Sequence, residues 1–247
     1  MPALVSPTPE LAAHPATLPD AVWRASQMGS YRAAVTPTGY ATLDRELPGG
    51  GWPSAALIEL LLPQAGIGEM HLLRPALGAI AQKRRIALVQ PPHAPQAAAW
   101  SAWGLPAERL LWVKAARNTD ALWSAEQILR NGSCGALLFW QTHTRPEALR
   151  RLHLAAQAAD ILFWAMRPLA DGQDASPAPL RLALHPANGG VRIAIIKRRG
   201  PLHGETLHLK LDGMPSSPFF LAPSAHARLD RRAPAAAAAR SVPAALV

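Results

Sequence analysis

The chain has 247 residues, 49% of them apolar and 17% charged, a balance that excludes a wholly disordered protein and leaves room for one α/β domain with a sizeable core. Lysine and arginine outnumber acids 25 to 16, for a formal net charge of +9, which points to an anionic partner, nucleic acid first and an acidic protein surface second. Cys134 is the single cysteine, so an internal disulfide and a cysteine-based zinc site are excluded. With no signal-peptide pattern and no apolar run near the ~18 residues of a membrane span, the expected compartment is the cytoplasm.

Residues 1–35 read as a Pro/Ala-rich leader with a short helix at 20–28, where Val22, Trp23 and Met28 offer apolar contacts. A core domain follows over 36–212. It opens with a short helix around Leu43 to Leu47, the glycine turn Gly49-Gly50-Gly51 and a strand over 56–62. Strands at 85–89, 110–113, 135–140 and 161–165 then alternate with helices at 70–82, 95–103, 119–130 and 145–159. That alternation predicts βαβ units and a mostly parallel sheet flanked by helices.

Residues 171–179 read as a mobile loop. After it the period changes to two, so 180–184 and 191–196 are expected as antiparallel strands around a hairpin turn at 186–190, with 207–211 as an edge strand. The remainder, 213–247, is a basic Pro/Ala/Arg tail without an apolar face, expected to be disordered.

The stretch from Leu57 to Leu73 places a glycine-bearing turn between a strand and a helix, where a phosphate-binding loop would sit. The template G-x-x-x-x-G-K-[ST] puts its second glycine on Gly68, its first on Pro63, its lysine on Glu69 and its hydroxyl on Met70. A carboxylate repels phosphate where a lysine should attract it, and a thioether is a poor Mg²⁺ ligand. Gly66 and Gly68 then serve an ordinary strand-to-helix turn that needs positive φ. No nucleotide, metal or other cofactor is expected, and no catalytic residue is assigned.

Thr38-Gly39 through Leu43-Asp44 ahead of the strand, Val89 to Pro95, Ala102 to Leu111 and Ala136 to Gln141 occur in the order and spacing of a RecA-type ATPase core. The resemblance covers roughly residues 36–210. It places the catalytic glutamate on Pro92 and the Walker B aspartate on Trp140 or Gln141, neither of which can orient water or hold Mg²⁺ through a carboxylate.

More closely, the chain is similar to the ImuA family, and residues 85–185 are also similar to the SulA family. The lead-in at 38–54 favours ImuA, because SulA-type chains are shorter and lack it. This resemblance implies a RecA-like fold with antiparallel strands at its C-terminal edge. It also implies a non-catalytic adaptor of SOS-induced translesion synthesis that binds an ImuB-type polymerase homologue, with RecA and DNA as further partners and no membrane. The alternative it implies is a SulA-like inhibitor that binds a tubulin-like division protein. DNA or partner contacts are expected at Lys197, Arg198 and Arg199 and at Arg228, Arg231 and Arg232 in the tail. Trp23 and Trp52, outside the regular core elements, are candidate partner anchors, whereas Trp140 and Trp164 read as core.

Overall fold

A computed structural model describes residues 34–142, 144–202 and 204–214 of the chain. The 20–28 helix, Trp23, Arg228, Arg231 and Arg232 lie outside the described residues. Strands β1 (Val35–Thr36) and β2 (Trp52–Pro53) pair with each other around helix α1 (Ala41–Glu46). The main body runs β3 (Ala56–Leu62), α2 (Glu69–Ala81), β4 (Arg85–Val89), α3 (Ala97–Ala102), β5 (Leu110–Val113), α4 (Asn118–Asn131), β6 (Cys134–Trp140), α5 (Pro146–Gln157) and β7 (Leu162–Pro168). It closes with β8 (Leu180–Ala187), β9 (Gly190–Lys197) and β10 (Leu207–Lys210). Among the described residues, strands β3 to β10 form one sheet in the order β10-β9-β8-β3-β7-β6-β4-β5, parallel from β8 to β5 and antiparallel at β9 and β10.

The apolar runs of the central strands follow from this order. Every residue of β3 is buried, because β7 and β8 flank it and both faces of the sheet are covered. Ile58, Leu60 and Leu62 point into one core with Leu72, Leu73 and Leu77 of α2 and Trp100 of α3. Leu57 points the other way, into a second core with Ala121, Ala125 and Leu129 of α4 and Leu149 and Leu152 of α5. The helix pairs take opposite faces because the chain runs outward from β3 through β4 to β5 and then returns through β6 to β7, and each crossover has the same hand. Cys134 begins β6 and is buried in the second core as a small packing residue.

The lead-in segment is a built part of this body. The Asp44 carboxylate accepts the Thr38 N–H at 2.8 Å and the Thr38 hydroxyl accepts the Tyr40 N–H at 3.1 Å, so the two polar residues of the T-G-x-x-x-L-D pattern close the turn that starts α1. Gly39 has φ +88°, and a Cβ there would lie 2.4 Å from Pro75 Cβ on α2. Leu43 and Trp52 are fully buried. Trp52 is therefore not a surface anchor for a partner: its ring meets Trp164 edge-on, with centroids 5.8 Å apart. Its neighbours in sequence, Gly51 and Pro53, are residue types that favour turns, so the local sequence carries no sign of this burial.

Residues 171–179 also differ from expectation. A 3₁₀ turn, Leu169–Gln173, starts the segment, and the whole segment is tied down by buried charge. Glu59, fully buried in mid-β3, accepts Arg167 of β7 at 3.1 Å, Arg181 of β8 at 2.6 Å and the Ser176 hydroxyl at 2.7 Å. Arg181 donates onward to the carbonyls of Asp171, Gly172 and Asp174, and Arg167 pairs with the Asp171 carboxylate at 2.9 Å. Of the two acids that make the loop look open to solvent in sequence, Asp171 is spent on Arg167 beneath it, while the Asp174 carboxylate stays largely exposed.

Candidate functional site

In an open α/β sheet, ligands bind outside the carboxyl ends of the strands, where loops leave for opposite faces. Here that place is a crevice with a volume of about 510 Å³. Its walls come from the loop after β3 (Leu62 to Ala65), the segment after β4 (Gln90, Pro92), the end of β6 (Trp140, Gln141, Thr142) and the end of β7 (Met166 to Pro168). Pro63, Pro92, Trp140 and Gln141 line it, and no lining residue carries a carboxylate.

The loop itself is a donor cradle. Gly66 and Gly68 have φ +84° and +117°, conformations that turn successive backbone N–H groups inward at the start of α2. Those N–H groups are already occupied. The Glu69 carboxylate, 2% exposed, accepts the Gly66 N–H at 2.7 Å through Oε1 and the Gly68 N–H at 3.2 Å through Oε2. A carboxylate in the first turn of a helix is favoured by the dipole and by the orphan donors there. The sequence reading treats Glu69 as a repulsive charge facing a phosphate. In the folded chain its carboxylate turns back onto the N–H donors of its own loop. Met70 packs half-buried against the core, and Pro63 lies exposed on the crevice rim.

Three of the polar side chains around the crevice are committed elsewhere. Gln90 pairs with the backbone of Ala115 in both directions, at 2.8 and 3.1 Å, and Gln141 donates to Asn118. Arg167 directs its terminal nitrogens to Glu59 and Asp171. Gln64 and Thr142 are the other polar residues of the lining, beside apolar walls from Leu62, Trp140 and Met166.

The expected basic contacts at the end of β9 are also engaged. Lys197 donates to the Ser176 carbonyl at 2.8 Å, and Arg198 donates to the Pro201 carbonyl at 2.6 Å and pairs with Glu46 at 3.3 Å. Arg199 lies close enough to His153 to act on its charge. On α5, Arg145 and Arg150 are exposed, whereas Arg151 pairs with buried Glu126. Arg84 turns to the opposite, amino end of the sheet and donates to the carbonyls of Gly132, Cys134 and Asp160.

His153 carries a pH consequence. Its Nδ1 accepts the Leu57 N–H at 3.3 Å, at the start of β3. Burial first, then the charges of Arg199 and Lys197, hold its pKa below the ordinary imidazole value. A group whose folded pKa is lowered contributes stability that is complete above its unfolded pKa and is lost as pH falls through the folded one. His71 shifts in the same direction, through burial and Arg74, with Glu69 opposing. Unfolding free energy is therefore expected to fall as pH drops below about 6.5. Denaturant titrations from pH 7.5 to 5 should show a shallower fall in His153→Gln, and an unchanged slope would refute this assignment.

The buried charge that sequence reasoning missed is Glu59. The available signal was a lone carboxylate inside the apolar run of β3, matched by lone arginines in β7 and β8. Among the described residues, no group of His, Cys, Asp and Glu side chains is placed to hold a metal ion, and no helix is long and apolar enough to cross a membrane.

No family model matches the sequence. The chain is 31% identical over 120 residues to the cell division inhibitor SulA of Edwardsiella piscicida, a match that spans 48% of this chain and 70% of that protein. It is 27% identical to the crystal structure of SulA from Pseudomonas aeruginosa, covering 47% of this chain and 99% of that one at a TM-score of 0.39. With the Edwardsiella relative covered over more than two thirds of its length at that identity, the chain belongs to the SulA family.

Proposed function

We propose that this SulA-family chain is a non-catalytic, RecA-like adaptor of SOS-induced translesion DNA synthesis that binds an ImuB-type polymerase homologue. The observation that carries the non-catalytic part is the Glu69 carboxylate closed onto the Gly66 and Gly68 N–H groups. Phosphate would have to displace a buried anion from its own donors. The crevice beside it offers no carboxylate for Mg²⁺ or for water. A glycine loop between the central strand β3 and helix α2, at the carboxyl end of a mainly parallel sheet, supports the RecA-like reading.

The lead-in supports the adaptor over the inhibitor. The matched 120 residues are 70% of the Edwardsiella relative and 48% of this chain, so the relative is the shorter protein. The β1-α1-β2 unit is packed into the first core through Leu43, Leu47 and Trp52, so the lead-in is structural rather than an appended leader. RecA and DNA are further partners in this reading, with exposed Arg145 and Arg150 and the tail arginines Arg228, Arg231 and Arg232 as cationic contacts.

A second reading, inhibition of a tubulin-like division protein, is favoured by the 31% identity to a cell division inhibitor. Expression in dividing cells distinguishes the two: the adaptor predicts normal division with an altered frequency of damage-induced mutation, whereas filamentous cells would replace it with the inhibitor. Purified chain should bind the ImuB-type protein in a pull-down and show background ATP turnover with or without single-stranded DNA. DNA-stimulated phosphate release would overturn the non-catalytic reading.

A further inference from the structure

Strand β5 is the outer edge of the sheet: among the described residues its one strand neighbour is β4. An edge strand presents unpaired backbone groups, and folded proteins usually blunt it with charge, proline or a covering element. This edge is apolar instead. Leu111 is 37% exposed and Trp112 46% exposed, both in the middle of the strand.

Two sets of contacts fix which backbone groups face outward. The Val113 carbonyl accepts the Gln90 N–H at 3.0 Å. The Gln90 side chain accepts the Ala115 N–H at 3.1 Å and donates to the Ala115 carbonyl at 2.8 Å. Residues 111, 113 and 115 therefore direct their amide groups toward β4. Backbone direction alternates along a strand, so Leu110, Trp112 and Lys114 direct theirs away from the sheet. The Leu110 N–H is already used, donating to the Ala107 carbonyl in the turn before the strand. The outward groups left are the Leu110 carbonyl and the N–H and carbonyl of Trp112 and of Lys114.

That set complements itself. An antiparallel copy of the strand, related by a two-fold axis at Trp112, puts Trp112 opposite Trp112 and Leu110 opposite Lys114. The two Trp112 residues then exchange both bonds, and each Lys114 N–H meets a Leu110 carbonyl. Of the free groups, the Lys114 carbonyl alone is left to water. The charges agree with this register. Glu108, in the turn just before β5, and Lys114, just after it, are both exposed. The two-fold brings Lys114 of one copy beside the turn that carries Glu108 in the other, within the diagonal reach of long side chains. An axis at Leu111 would set the Trp112 carbonyl against the spent Leu110 N–H, and an axis at Val113 would carry Lys114 away from Glu108.

We infer that β5 is a self-association edge, at which two copies of this chain pair antiparallel with Trp112 opposite Trp112 and form one sheet across both. The opposed indoles form an aromatic cross-strand pair, on the face of β5 that carries Leu110. Because the paired strands run in opposite directions, the carboxyl ends of the two sheets point apart. The two crevices therefore open in opposite directions. The inference uses the edge strand alone, so it stands under either reading of function.

Sedimentation of the full-length chain over a dilution series tests it. The parent should pass from dimer to monomer as it is diluted. Trp112→Lys sets two ammonium groups face to face and should weaken association by about tenfold or more, with melting close to the parent. A second set of variants reads the register without touching the apolar residues. Glu108→Lys should weaken association by about threefold, and adding Lys114→Glu should restore it, because the two charges change places across the axis. Both positions are exposed, so these variants leave the core intact. A chain that stays monomeric at every concentration would overturn the proposal, including one whose edge instead takes up an extended segment of another protein. A dimer indifferent to Trp112→Lys, or a Glu108→Lys defect that Lys114→Glu fails to repair, would overturn it equally.

Discussion

Glu59→Gln is expected to lower the unfolding free energy by about 3–5 kcal/mol, the usual cost of removing one partner from a buried ion pair. Glu59 is fully buried and is the shared acceptor of Arg167 and Arg181, whose side chains are 3% and 6% exposed. Without its charge, one guanidinium keeps Asp171 and the other keeps only backbone carbonyls. For a body of this size each kcal/mol moves Tm by about 2–4 °C, so thermal melting should shift down by roughly 10 °C.

The loss should be local as well as global. Arg181 is the clamp that holds the carbonyls of residues 171, 172 and 174, so hydrogen exchange across 169–176 should rise more than exchange in α4 or α5. Arg181→Lys should reproduce much of that rise, because one ammonium cannot replace a planar fork that reaches Glu59 and three carbonyls together. A Glu59→Gln protein that melts within 2 °C of the parent, measured by calorimetry, would show that the cluster contributes no net stability.

Trp52→Ala should cost a similar amount, about 3–5 kcal/mol, by leaving a cavity under the lead-in. Trp52 is fully buried, lies edge-on to Trp164 and pins the β1-β2 pair over the first core. Trp52→Phe should cost far less. It keeps an aromatic ring against Trp164 and removes an indole N–H that has no hydrogen-bond partner among the described residues. The two variants separate a packing role from a partner-anchoring one. Anchoring predicts unchanged melting with weaker partner capture, and packing predicts lower melting in Ala, with Phe near the parent. Chemical denaturation of both proteins decides between them.

Much of the fold was legible because its signals are local. Apolar runs such as 56–62 and 135–140 mark strands buried on both faces, and the change to period two after residue 180 marks the antiparallel edge. Glycines at 66 and 68 marked a left-handed turn, and both have positive φ. The crevice residues were also legible in part, since Pro63, Pro92, Trp140 and Gln141 were located by the order of segments around a strand-loop-helix unit, and all of them line it.

The sequence by itself determined which residues enter strands and helices, and that Pro63, Glu69 and Met70 stand where a phosphate-loop template has glycine, lysine and a hydroxyl. Both are properties of residue type and spacing along the chain. Only the tertiary structure decided what these side chains touch. Glu69 can act as a resident anion because the loop curls its own N–H groups back onto the next side chain. Trp52 belongs to the core because the lead-in folds over β7 and brings it against Trp164. Arg167 and Arg181 lie 108 and 122 positions along the chain from Glu59, and the three meet because β7 and β8 flank β3. Contacts between residues that far apart depend on strand order, which no local pattern in the chain encodes.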